Sequence, residues 1–246
     1  MQWLVSLRDP TELPAALAAE VDILDLKDVQ QGSLGMPNDA TLTAFSQQLQ
    51  QYAPGRAFSI ALGELPEWTA DRPVQGLPEH VRWAKLGLSH CGNDRLWIER
   101  WQSLRSQLNL AAGRRLDWIA VAYADFESAK SPRPEEILTA AIETNCWGLL
   151  VDTYSKSGRS LLDCLGPQRL RQLILRAQSV GLHIALAGQV SVVDLPTLAD
   201  LRPDILAVRS AVCVNNNRTE PLCPERLAEF RRQLTAALAP RNAATA

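Results

Sequence analysis

Lysine is scarce here: Lys27, Lys85, Lys130 and Lys156 stand against 21 arginines. Arginine supplies surface charge equally well but cannot act as an amine nucleophile, so a lysine kept in such a chain points to amine chemistry. One leftover lysine would be unremarkable in an arginine-biased sequence. Three of the four, however, follow β-rich runs at or just past their C-terminal ends. Histidine and cysteine are also sparse. With three histidines, and with His90, Cys91 and His183 lacking a third ligand at a metal-binding spacing, no metal is expected. The five cysteines include no C-x-x-C pair, which suits a reducing compartment and predicts a cytoplasmic protein. No apolar run approaches the roughly 18 residues of a membrane span. The opening Met1–Leu7 breaks at Arg8-Asp9-Pro10 and reads as a strand, not a signal peptide.

Charge is balanced. A net charge of -2, with acidic and basic residues interspersed, gives no electrostatic footprint for nucleic acid, although a small anionic metabolite stays within reach of local charge. No Pro- or Gly-rich linker divides the 246 residues, and a hydrophobic content of 46% suffices for one large core.

What the chain does have is alternation. Short runs rich in Val, Ile, Leu and Ala predict strands at 3–7, 22–27, 57–62, 83–88, 118–124, 148–153, 183–187 and 205–209. Between them, helical periodicity predicts helices at 11–20, 39–51, 93–108, 134–144, 167–180 and 224–238. Asn38 is a candidate N-cap, Pro134, Pro167 and Pro224 candidate first helical residues, and Gly181 a candidate helix end. The stretch 63–80, interrupted by prolines and glycine, predicts no regular helix. Eight βα units in this length predict a single-domain α/β TIM barrel, a (β/α)8 fold, over residues 1–238, followed by a flexible tail at 239–246. An open doubly wound sheet is the alternative, but no glycine-rich turn follows the first strand.

A TIM barrel places its active site at the C-terminal ends of its strands. Side chains alternate along a strand, so Asp25 and Lys27 share one face and Leu26 takes the other. Lys85 interrupts an apolar run, Asp125 follows the fifth strand, and Asp152 with Lys156 closes the sixth. Gly188, Gln189, Arg209 and Ser210 lie where many barrels hold a phosphate. Arg209 is either a phosphate clamp or the structural partner of a strand-end aspartate. The loop Gly32-Ser33-Leu34-Gly35, with Ser33 in it, can wrap a phosphate with its amides although the spacing is not that of a nucleotide-binding loop. A desolvated lysine near a second lysine becomes nucleophilic toward carbonyls, so one can form a Schiff base while the other moves protons. An inert set of ion pairs in a scaffold barrel is the competing reading.

These pieces resemble the (5-formylfuran-3-yl)methyl phosphate synthases, also called 4-(hydroxymethyl)-2-furancarboxaldehyde-phosphate synthases, of methanofuran biosynthesis. The matching segments are Asp22-Ile-Leu-Asp-Leu-Lys27, Gly32-Ser-Leu-Gly35, Ala84-Lys-Leu-Gly-Leu88, Tyr123-Ala-Asp125, Asp152-Thr153 with Lys156, Ala185-Leu-Ala-Gly188 and Val208-Arg209 leading to Cys213. The resemblance implies a TIM-barrel lyase that joins two molecules of glyceraldehyde 3-phosphate with loss of phosphate and water, without a cofactor. Carried over by position, it implies Lys27 as the Schiff-base lysine, Lys85 as proton acceptor, and Asp25, Asp152 and Lys156 as supporting site residues. The expected partner is a small phosphorylated aldehyde, with neither nucleic acid nor membrane involved and room for a homo-oligomer. A class I aldolase on another sugar phosphate would use the same lysine. Two departures stand out: Ser210 occupies a family glycine position, and the Asn215-Asn216-Asn217-Arg218 loop replaces a glycine-containing one, leaving the role of Arg218 open.

Overall fold

A computed structural model describes residues 1–156 and 158–239; the expected tail beyond Ala239 lies outside the described residues. Eight strands are present: β1 (Gln2–Leu7), β2 (Ile23–Leu26), β3 (Phe58–Glu64), β4 (Val81–Gly87), β5 (Asp117–Tyr123), β6 (Gly148–Asp152), β7 (His183–Leu186) and β8 (Ile205–Val208). They pair in sequence order, all parallel, and β1 closes on β8 with Val5 opposite Val208, giving a TIM barrel. Period-two alternation explains the two cores. Outward residues such as Val5, Leu24, Leu26, Ile60, Leu86 and Val151 pack under the helices. Inward residues such as Leu4, Ile23, Ile119, Val121 and Ile205 fill the barrel.

The helices are α1 (Leu13–Ala18), α2 (Asp39–Tyr52), α3 (Trp97–Ala111), the single turn α4 (Phe126–Ala129), α5 (Pro134–Glu143), α6 (Leu161–Ser179), α7 (Leu195–Leu201) and α8 (Pro224–Leu238). Asn38 caps α2 by accepting the Thr41 amide, and Pro134 and Pro224 open α5 and α8 as expected. Between β3 and β4 there is only a 3-10 turn, Leu65–Glu67, as the prolines of 63–80 foretold. Three helical expectations need correction. First, α3 starts four residues late, because the Asp94 carboxylate accepts the Leu96 amide and builds a turn ahead of the helix. Second, α6 starts at Leu161, where Ser160 and Asp163 form a reciprocal capping box; Gly166 then leaves the helical path, and Pro167 opens the longer second part. Third, the short α4 and α7 had no counterpart in the sequence reading.

At the N-terminal end of the barrel Trp147 stacks on His183 at 4.0 Å and tilts against Trp83 at 5.7 Å, giving the interior a floor. The C-terminal end is open. Among the described residues no helix is long and apolar enough to cross a membrane.

Candidate active site

The β2 strand delivers Asp25 and Lys27 inward together, with Leu26 buried on the outer face. Register sets Asp25 between Ser6 of β1 and Ser59 of β3. The Ser6 hydroxyl donates to Asp25 Oδ2 at 3.0 Å, and Lys85, brought by β4, donates from Nζ to Asp25 Oδ1 as a buried ion pair. Across the barrel, β6 ends in Asp152. Its Oδ1 accepts the Thr153 amide at 2.7 Å and Lys156 Nζ at 2.9 Å, while Oδ2 accepts the Ser33 hydroxyl at 2.9 Å. Burial alone would raise the Asp152 carboxyl, but the charges of Lys156 and Lys27 and the hydrogen bonds from Lys156 and Ser33 outweigh it and hold the pKa at about 2.

Lys27 is treated differently from its two neighbours. It is 8% exposed and, among the described residues, donates only a long 3.3 Å hydrogen bond to the Ser33 carbonyl, because both facing carboxylates already hold other lysines. Desolvation lowers its pKa from 10.5 to about 7 against the pull of Asp152 and Asp25, with Lys156 and Lys85 adding to the fall. A substantial share of the amine is therefore free base at neutral pH. All five of these side chains line one cavity of about 230 Å³ that descends from the mouth toward the tryptophan floor. A neutral amine beside two lysine–carboxylate pairs can attack a carbonyl and exchange protons with its surroundings.

The chain belongs to the 4-HFC-P synthase family. The family model matches residues 3–231. Relatives called (5-formylfuran-3-yl)methyl phosphate synthase include one from Methanococcus maripaludis, 27% identical and covering 89% of this chain and 93% of that protein. Others come from Archaeoglobus fulgidus, 29% identical over 87% of this chain and 91% of the relative, and Methanopyrus kandleri, 29% identical over 87% and 90%. Among solved structures, phosphoribosyl anthranilate isomerase from Thermus thermophilus matches with a TM-score of 0.58 at 16% identity, covering 96% of this chain and 99% of that one. Thiamine phosphate pyrophosphorylase from Pyrococcus furiosus matches with 0.57 at 13%, covering 97% and 96%. At such identities these two establish the barrel alone.

Membership in the 4-HFC-P synthase family leaves each side chain to be placed by its own contacts. The Ser33 hydroxyl is shared between Asp152 and the Thr153 carbonyl, and it orients Asp152. Gly188, at φ +105°, does permit a close approach, but of Thr153; a Cβ there would lie 2.9 Å from the Thr153 nitrogen. Gln189 and Ser210 line the cavity, with the Gln189 amide nitrogen donating to the Arg159 carbonyl at 2.7 Å. Arg209 departs from both readings of it. Its guanidinium makes a bidentate pair with Glu12, at 2.5 and 2.8 Å, and donates to the carbonyls of Ser6, Arg218 and Glu220. All five of its donors are thereby engaged within the protein, and its partner is Glu12 rather than a strand-end aspartate. Asp125 holds the amides of Tyr154 and Ser155 at 2.6 and 2.8 Å, so it supports the loop after β6 instead of a lysine.

Two residues escaped the sequence reading. Glu64, at the end of β3, accepts the Tyr123 hydroxyl and, on its other oxygen, the Ser89 amide at 2.8 Å; burial raises its pKa against both bonds. A lone carboxylate ending a buried strand was the available signal. For Glu12 no local signal existed.

Proposed function

We propose that this chain forms (5-formylfuran-3-yl)methyl phosphate from two molecules of glyceraldehyde 3-phosphate through a Schiff base on Lys27, with loss of phosphate and water. The observation that carries the reading is a buried lysine that, among the described residues, has no carboxylate of its own and is brought to a pKa of about 7, inside a family whose relatives bear that synthase name. The Lys27 amine adds to the substrate carbonyl, and loss of water gives an iminium, which drains electrons from the neighbouring carbon as a cofactor would elsewhere. Lys85, gripped by Asp25 in the same cavity, serves as the proton-transfer partner. Asp152 and Lys156, joined at 2.9 Å, orient the adduct and support proton movement on the opposite wall.

The test uses glyceraldehyde 3-phosphate as the only substrate. An aromatic furancarboxaldehyde is expected to accumulate and to be seen by its ultraviolet absorbance. Borohydride should trap an adduct on Lys27 that is absent in Lys27→Arg, while Lys85→Ala still traps but turns over poorly. A linear hexose or ketose phosphate as sole product would replace this reading with an aldolase, and an unmodified Lys27 would leave a scaffold barrel.

A further inference from the structure

The cavity's charges do not cancel. Seven lysine, arginine and aspartate side chains line it: Asp25, Asp152, Lys27, Lys85, Lys156, Arg209 and Arg218. Asp25 pairs with Lys85, Asp152 with Lys156, and Arg209 with Glu12 behind the wall. That leaves Lys27, whose amine is the nucleophile, and Arg218. Among the described residues Arg218 forms no salt bridge; its Nη2 donates to the Gly32 carbonyl at 2.8 Å. A guanidinium has five N–H donors in a planar fork suited to two phosphate oxygens at once, so most of this fork is uncommitted. It is also half-buried, and burial disfavours its charge, so an anion beside it would relieve that cost.

The loop that carries Arg218 is held in place. Its neck closes through the Cys213–Leu222 bridge, with Val214 donating to the Pro221 carbonyl at 3.0 Å and Cys223 to Val212 at 2.9 Å. Inside the arch, Arg209 Nε donates to the Arg218 carbonyl at 3.0 Å and Nη2 to the Glu220 carbonyl at 2.7 Å, while Glu12 Oε1 takes the Leu222 amide at 3.2 Å. Arg218 then reaches across the mouth to the β2–α2 loop, the same loop that supplies the Ser33 contacts to Lys27 and Asp152.

We propose that Arg218 is the phosphate-binding cation of this site, and that Arg209 is a positioning residue acting through it by holding the 213–222 arch over the mouth. The chemical class it takes is a phosphate monoester on a short carbonyl compound, with the phosphate at the mouth and the carbonyl reaching inward to Lys27. This rests on the proposed synthase reading for the identity of the ester, but the anion contact itself does not.

Inorganic phosphate is the first probe. Titrated onto the wild-type protein and followed by phosphorus NMR line width, it should bind, and Arg218→Ala should bind about 10- to 100-fold more weakly, the loss expected for a charge-assisted hydrogen-bonded contact. Arg218→Lys should recover part of that loss. In borohydride trapping, the preference for glyceraldehyde 3-phosphate over unphosphorylated glyceraldehyde should fall by a similar factor in Arg218→Ala, and in the same direction in Arg209→Lys, which cannot span both carbonyls. Thermal unfolding of Arg218→Ala checks that the fold is retained. Equal phosphate binding by wild type and Arg218→Ala, or no binding by wild type, overturns the proposal. So does an equal loss toward both aldehydes, which would mark the residue as structural. If furan forms normally in Arg218→Ala, this inference fails and the synthase reading stands; if phosphate binding depends on Arg218 but no furan appears, the reverse holds.

Discussion

In the proposed reading, burial is what makes Lys27 reactive. Its ordinary pKa of 10.5 is lowered to about 7 in the fold, so between those values the unfolded chain binds more protons at this site than the native one. Stability contributed by this group therefore rises with pH from about 7 to 10.5, and the full cost of a buried cation is felt below pH 7. Lys27→Met removes that cost. The variant should be more stable than wild type by the widest margin near pH 6, the margin narrowing by up to about 1.4 kcal/mol per pH unit across the window. Urea unfolding at several pH values measures this, and a pH-independent margin would mean that Lys27 is not desolvated. The same depression makes borohydride trapping at Lys27 accelerate as pH rises through about 7.

At the scale of elements, the site depends on how closely β7 approaches the end of β6. Gly188 closes that contact at φ +105°, and its carbonyl receives the first amide of α6, from Leu161, at 2.9 Å. In Gly188→Ala a Cβ would meet backbone at Thr153 in a conformation few L side chains adopt. We expect a loss of about 1–3 kcal/mol in thermal unfolding and weaker activity through displaced Asp152 and Lys156; an unchanged melting temperature would count against close packing here. The elements that form this site were legible because strand alternation is local: the spacing of Asp25 and Lys27, and of the runs ending at Lys85 and Asp152, follows from a few neighbouring residues. Helix α7 was not legible, since its seven residues begin with a Leu-Pro pair and carry too little periodicity to register. Nor was the engagement of Arg209, whose Glu12 partner is 197 positions away and meets it only when the barrel closes. The attachment of the Ser33 hydroxyl to Asp152, 119 positions on, is again a product of closure.

For the whole molecule, closure is where stability and function meet. The β1–β8 seam is laced by Arg209, which donates to the Ser6 carbonyl of β1 at 2.9 Å and clamps Glu12 just beyond it, and Glu12 also accepts the Arg8 amide at 3.0 Å. Removing one partner of such a buried pair leaves an uncompensated charge, so Glu12→Ala should cost about 3–5 kcal/mol. In a chain of this size that lowers the melting temperature by about 6 to 20 °C. Replacing both partners with apolar side chains, as Glu12→Ala with Arg209→Met, removes the stranded charge and should recover much of the loss. It does not restore the anchors at the Arg218 and Glu220 carbonyls, so the recovered protein should remain impaired toward glyceraldehyde 3-phosphate. Calorimetry paired with furan formation separates the two effects. If the double variant regained activity along with stability, the seam would serve the fold alone; a stable but impaired protein would show that the barrel closes through the same arginine that sets its mouth.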